Sequence, residues 1–191
     1  MTYRYTHELP KLREEGLSFL LKYCREHGVK RLLELGTAEA NTSIALARAF
    51  PEMQVDTIER DPAMIEKAKQ HIAEAGLEDR IRLFEEDISV FDGEGKYDLI
   101  FVDAGKAHND DYFRMFRDRL SEQGAFFFDN MVFHNMIYDP DAIENRSTRQ
   151  MVRKIVRFRE EITCEKDFNA MFYDKIGDGI LIVSRRNEYE S

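Results

Sequence analysis

Apolar residues along this chain fall into two alternating patterns. Short apolar runs of strand length are separated by longer stretches in which apolar residues recur every three or four positions. A first helix is predicted over about 10–27, where Leu12, Phe19, Leu20 and Cys24 form a stripe and Gly28 takes the C-terminal cap position. Strands are predicted at 31–35, 55–59, about 81–84, 97–103 and 124–130. Between them lie helices at about 42–50, stopped by Pro51, at about 62–76, and at about 110–120. The second of these opens on Asp61-Pro62, an N-cap followed by a proline in the first turn. A polar loop then leads to a helix at about 147–161 and to two strands, about 169–176 and 179–184. Joined across Gly177-Asp178-Gly179, that last pair reads as an antiparallel hairpin at one sheet edge.

Strands alternating with helices predict a doubly wound α/β fold with a mostly parallel sheet. The segment 97–103 is nearly all apolar, so it is expected in the centre, covered on both faces. No repeat, low-complexity run or linker divides the chain. A single domain over 1–191 is expected, with a helical segment at 1–28 and a core at 29–186.

Composition narrows the function classes. With 43% hydrophobic and 34% charged residues, the chain belongs with globular rather than disordered sequences. No apolar run approaches the roughly 20 residues of a membrane helix, and residues 1–15 show no apolar leader. A cytoplasmic location and no membrane partner are expected. Cys24 and Cys164 form no CxxC and read as reduced, partly buried thiols. A net charge of −9 argues against a generic nucleic-acid coat protein.

In doubly wound sheets, ligands bind beyond the carboxyl ends of the strands. The first such end reads Glu34-Leu35-Gly36-Thr37-Ala38-Glu39-Ala40, with one glycine instead of the three of GxGxxG. That, and the lack of a P-loop lysine, argues against NAD and ATP. A cofactor without phosphates needs only one tight turn and room for an amino-acid tail. Glu59 ends the next strand, 23 residues after Gly36, where an acid accepts ribose hydroxyls. Arg60 follows it, and Asp87 after the third strand is placed to accept from an adenine amino group. A lone ExG is weak. The ordered set of ExGT and two later strand-end acids points to an adenosyl cofactor.

The fourth strand ends on Asp103, with Lys106 three residues on, and the fifth on Asp129-Asn130. Neighbouring strands would bring Asp103, Asp129 and Asn130 to one edge. Two carboxylates and an amide oxygen form a hard site suited to Mg²⁺, Mn²⁺ or Ca²⁺ rather than zinc. The plainer alternative, that these acids cap loops or pair with arginines, accounts less well for their places on two very apolar strands.

ExGT, TIERDP, FVDAGK, FFFDN and the closing IGDGILIVSRR resemble, in order, the catechol and caffeoyl-CoA O-methyltransferase family over about 31–185. The late hairpin also resembles the seven-stranded Rossmann-like sheet of class I methyltransferases more than an all-parallel dehydrogenase sheet. The resemblance implies S-adenosylmethionine in a pocket lined by Glu34, Gly36, Thr37, Thr42, Glu59, Arg60, Asp87 and Asp103. It implies a metal on Asp103, Asp129 and Asn130, Lys106 as general base with Asp103 beside it, and a homodimer. The chain departs from the family at Ala40, where glycine is usual, and in a shorter N-terminus. In the implied mechanism the metal holds two vicinal substrate oxygens and favours the oxyanion, which attacks the sulfonium methyl. Lys106 must be neutral to take the proton, a state that a neighbouring metal ion and sulfonium favour.

The segment after Asn130 carries Phe133, His134 and Tyr138 and then six positive residues with no acid between Arg146 and Arg159. Arg146, Arg149, Arg153 and Arg157 share one helical face. A solvated face is the common explanation of such a run; a phosphate-facing one is the alternative. RQMVRKI followed by IGDGI resembles the bacterial branch that methylates 5-hydroxyuridine in the tRNA anticodon loop. That base presents vicinal oxygens and is already single-stranded, and Phe133, His134 or Tyr138 could stack on it. The expected substrate is therefore tRNA, with a small catechol or other vicinal-diol phenol as the competing reading. A non-catalytic RNA-binding module on the same fold is the alternative of another class.

Overall fold

A computed structural model describes the backbone of residues 9–186 and the side chains of residues 14–186. In chain order the elements are α1 (Leu9–Glu26), β1 (Arg31–Leu35), α2 (Asn41–Ala49), β2 (Gln54–Glu59), α3 (Pro62–Ala75) and β3 (Ile81–Glu85). They continue with β4 (Tyr97–Val102), α4 (Asn109–Phe116), β5 (Leu120–Phe128), α5 (Arg146–Ile162), β6 (Phe168–Tyr173) and β7 (Ile180–Arg185). The seven strands form one sheet in the order β3-β2-β1-β4-β5-β7-β6. β1 to β5 run parallel; β7 is antiparallel to β5, and β6 to β7. The α/β expectation and the late antiparallel pair hold, with β6 at the edge. Strand order reverses between β1 and β4, which places a switch-point crevice above their carboxyl ends.

The sheet is covered on both faces. Along β5, Phe126 and Phe128 enter one core with Phe113, Phe116 and Phe158, while Phe127 enters the other with Leu20, Leu46 and Ile72. That split is the period of two of a strand buried on both sides. α5 buries Val152, Ile155, Phe158 and Ile162, an apolar stripe at helical spacing. Asp61 caps α3 by accepting from Ala63 N at 2.8 Å and Met64 N at 3.2 Å, as its sequence predicts.

Three boundaries differ from expectation. α4 ends at Phe116, because Arg117–Arg119 tighten into a 3-10 turn and Leu120 is already paired with Tyr97. β5 then shifts register between Tyr97 and Leu99 and ends at Phe128, so Asp129 and Asn130 lie beyond the strand. β6 stops at Tyr173, which lengthens the hairpin connection to 174–179. Cys24 is fully buried, and that burial pushes its thiol up to about 12; Cys164 is exposed rather than partly buried. The side chain of Leu12, assigned to the first helix's stripe, lies outside the described residues. Among the described residues no helix is long and apolar enough to cross a membrane.

Candidate active site

A cleft of about 1200 Å³ opens at the carboxyl ends of β1, β2, β4 and β5. Glu34, Gly36, Thr37, Thr42, Glu59, Arg60 and Asp87 line it. So do Asp103, Lys106, Asp129 and Asn130, which brings the expected cofactor and chemical residues into one cavity.

The turn after β1 forms the floor. Gly36 has φ 97°, and a Cβ there would lie 3.0 Å from Asp103 O and 3.1 Å from Ala104 N. Only glycine lets these two strand ends approach so closely. Ala40 takes φ 64°, a left-handed conformation that favours glycine, at a cost of about 1–2 kcal/mol. It precedes α2 without a side-chain cap, and Asn41 and Thr42 of the first turn face the cleft.

Glu34 lines the cleft and is also tied into the fold beneath it. It is 1% exposed, and its Oε2 accepts from Thr57 Oγ1 at 2.7 Å and from Ser43 Oγ. Thr57 donates here, so the 2.6 Å contact between its Oγ1 and that of Thr37 is donated by Thr37. This chain of hydroxyls ties β1, α2, β2 and the Gly36 turn together. Burial pushes the Glu34 carboxyl up to about 7, against the pull of the two hydroxyls.

Glu59 fits its assignment better. Its Oε2 accepts from Ala38 N at 2.9 Å, and its Oε1 from Arg60 N at 2.9 Å and Asp61 N at 3.0 Å. Three backbone donors fix the carboxylate at the cleft wall, and its oxygens keep further lone pairs for hydroxyls. Asp87 is more heavily engaged. Its Oδ1 accepts from Ser89 N and Oγ, and its Oδ2 from Arg60 Nη1 at 2.6 Å, which together hold the carboxyl down at about 2. An adenine amino group would share this carboxylate with Arg60. The neighbouring Glu86 also lines the cleft, with Oε1 buried and lacking a hydrogen-bond partner. The acidic run after β3 was its only signal in the sequence.

In the chemical half, Lys106 Nζ lies 2.9 Å from Asp103 Oδ1, and its side chain is only 10% exposed. Asp103 N donates to Leu35 O at 3.0 Å and Asp129 N to Val102 O at 3.3 Å, which extends the sheet bonding up to both acids. Asp129 Oδ1 accepts from Asn130 N at 2.8 Å. Burial pushes the Asp129 carboxyl up; Lys106 opposes this, while Asp103 and Asp178 add to it. A buried carboxylate with acidic neighbours is electrostatically short of positive charge. Two carboxylates and an amide oxygen around one cavity suit a hard divalent cation. Among the described residues no group of three or more His, Cys, Asp or Glu is placed to hold a metal ion, so any site here would need the Asn130 amide oxygen beside the two carboxylates.

The residues assigned to substrate stand apart from the cleft lining. Phe133 and His134 are ring neighbours at 5.5 Å, and Tyr138 donates to Asp174 Oδ2 at 3.1 Å. On α5, Arg149 Nη1 donates to Ile143 O at 2.9 Å, Arg153 pairs with Asp141 at 2.5 Å, and Arg157 with Glu161 at 3.4 Å. The stretch lacks acids internally, yet its flanks supply them. Arg146 is exposed, and α5 packs beside the 3-10 turn Lys106–His108. Sequence reasoning missed Asp178 as a site neighbour: buried at 7% exposure, it accepts from His134 N at 2.7 Å.

The family model described as O-methyltransferase matches residues 2–186. The chain is 30% identical over 168 residues to the catechol O-methyltransferase of Niastella koreensis, covering 84% of this chain and 72% of that protein. A Staphylococcus aureus structure assigned to the caffeoyl-CoA O-methyltransferases superposes with a TM-score of 0.82 at 29% identity, over 95% of this chain and 93% of that one. The O-methyltransferase TomG from Streptomyces achromogenes, solved in complex with SAM, gives a TM-score of 0.76 at 26% identity, over 91% and 80%. The chain spans 61% to 72% of the length of the first curated relatives it matches.

Proposed function

This chain belongs to the O-methyltransferase family, and on that premise we propose that it methylates one of two vicinal oxygens on a catechol-type substrate. The observation that carries the reading is the sharing of one cleft by Gly36, Glu59, Asp103, Lys106, Asp129 and Asn130. S-adenosylmethionine, when bound, supplies the electrophilic methyl group. A divalent cation held by Asp103, Asp129 and Asn130 would supply the charge that favours an ionised substrate hydroxyl.

The chain's own residues do the rest. Glu59, fixed by three backbone amides, receives the ribose hydroxyls, and the close Gly36 turn makes room for the amino-acid tail. Asp103 orients Lys106, whose Nζ takes the hydroxyl proton. Leu17 and Phe101 on the cleft wall help exclude water from the transfer. Holding donor and acceptor in line contributes through proximity and orientation, alongside the electrostatics of the site.

A catechol-type substrate is favoured because Arg149, Arg153 and Arg157 are engaged by this chain's own carbonyl and carboxylates. The second reading, 5-hydroxyuridine in a tRNA anticodon loop, is supported by the basic α5 lying beside the Lys106 turn. Parallel reactions with labelled S-adenosylmethionine and Mg²⁺, one with catechol and one with tRNA carrying 5-hydroxyuridine, test both. Transfer to catechol, lost with a chelator, is expected. Transfer to the tRNA alone would replace the first reading by the second, and transfer to neither would reject both.

A further inference from the structure

The loop after β5 holds the most strained backbone among the described residues. Asn130, Phe133, His134 and Asn135 all have left-handed φ, at 57°, 46°, 55° and 64°, and none is glycine. Non-glycine residues persist there only when their surroundings over-determine them. The hairpin connection between β6 and β7 supplies the restraint. Met131 N donates to Gly179 O at 2.8 Å, Val132 N to Asp178 O at 2.7 Å, and His134 N to Asp178 Oδ1 at 2.7 Å. Gly179 has φ 84°, and a Cβ on it would lie 2.6 Å from Val132 N, so the two backbones touch. Asp178 Oδ2 is buried without a hydrogen-bond partner, 3.6 Å from His134 Nδ1.

We infer that Asp178 is a positioning residue: with Gly179 it clamps the loop 129–135 and so fixes Asp129 and Asn130 toward Lys106 and Asp103. Asp178 is close enough to Lys106 for that charge to be felt at its carboxyl, and to Asp129 to push the Asp129 carboxyl up, so the clamp belongs beside the chemical half of the cleft. The two binding groups sit at the start of a segment that no regular ladder holds. Beyond the bond from Asp129 N to Val102 O, the segment that follows them is held by three bonds to a turn more than 40 residues further along the chain. The inference rests on the proposed reading of Asp129 and Asn130 as cation ligands.

The test compares the full chain with Asp178→Ala and Asp178→Asn. Asparagine keeps an acceptor for His134 N–H; alanine does not. Hydrogen exchange is measured over 129–138 and over β4, with Mn²⁺ binding to the protein followed by calorimetry. In Asp178→Ala, exchange over 129–138 should quicken about tenfold with β4 unchanged. Mn²⁺ affinity should fall roughly tenfold or more. Asp178→Asn should restore most of both. Unchanged exchange in the loop, quickened exchange throughout the sheet, or Mn²⁺ affinity equal to the unaltered protein despite a loosened loop would each overturn it. If the unaltered protein takes up no Mn²⁺, the cation reading fails on its own. The exchange pattern and its rescue by asparagine then decide the clamp separately.

Discussion

Lys106 and Glu34 show how position decides what a charged side chain does. Lys106 is 10% exposed and held 2.9 Å from Asp103 on the cleft wall, and it is the base proposed above. Lys106→Ala should lower kcat by about 10²–10⁴-fold. Its affinity for S-adenosylhomocysteine, measured by calorimetry, should stay the same. The family resemblance implies Glu34 in the cofactor pocket, and sequence carries no measure of its burial. In place, its carboxyl is raised from 4.5 to about 7 by burial, so the folded protein binds the proton more tightly than the unfolded chain does. The stability this contributes is complete below pH 4.5 and is lost as pH rises through about 7. The loss is on the order of 3 kcal/mol. Urea titrations between pH 4.5 and 8 should show this decline, and Glu34→Gln should flatten it. An equal slope in both proteins would remove Glu34 as its source.

At the scale of elements, strand-end residues were legible because alternation and apolar runs locate strand ends, and the fold brings those ends together. Asp103, Asp129 and Glu59 were found in this way. The limits of β5 were not, because a register shift beside Tyr97 leaves no mark on the hydrophobic pattern. Asp178 read as part of a simple turn, since its contacts with Val132 and His134 span more than 40 residues. α5 was legible as an amphipathic helix, but the partners of its arginines lie at Asp141 and Glu161, outside the basic stretch. Two substitutions separate its faces. Phe158→Ala should cost about 3–5 kcal/mol in thermal unfolding, since Phe158 packs on Phe113 and Phe128. Arg153→Ala, which breaks an exposed pair, should cost less than about 1 kcal/mol. It should also leave methyl transfer to catechol unchanged. A large loss of transfer to tRNA in Arg153→Ala would instead return α5 to the RNA reading.

Across the whole molecule, one sheet presents two sets of loops to one cleft. The parallel half carries the Gly36 turn and Glu59, while the β5 end and the antiparallel hairpin hold Asp129, Asn130 and Asp178. Asp103, Asp129 and Asn130 are proposed to hold a cation that, with Lys106, supports methyl transfer to a vicinal oxygen. The most direct test of this proposal is transfer of label from S-adenosylmethionine to catechol, followed while Mg²⁺ is withdrawn by a chelator and restored. Activity should vanish and return in the unaltered protein and be absent at every Mg²⁺ level in Asp129→Ala. Label transferred at full rate with the chelator present, or by Asp129→Ala, would contradict it.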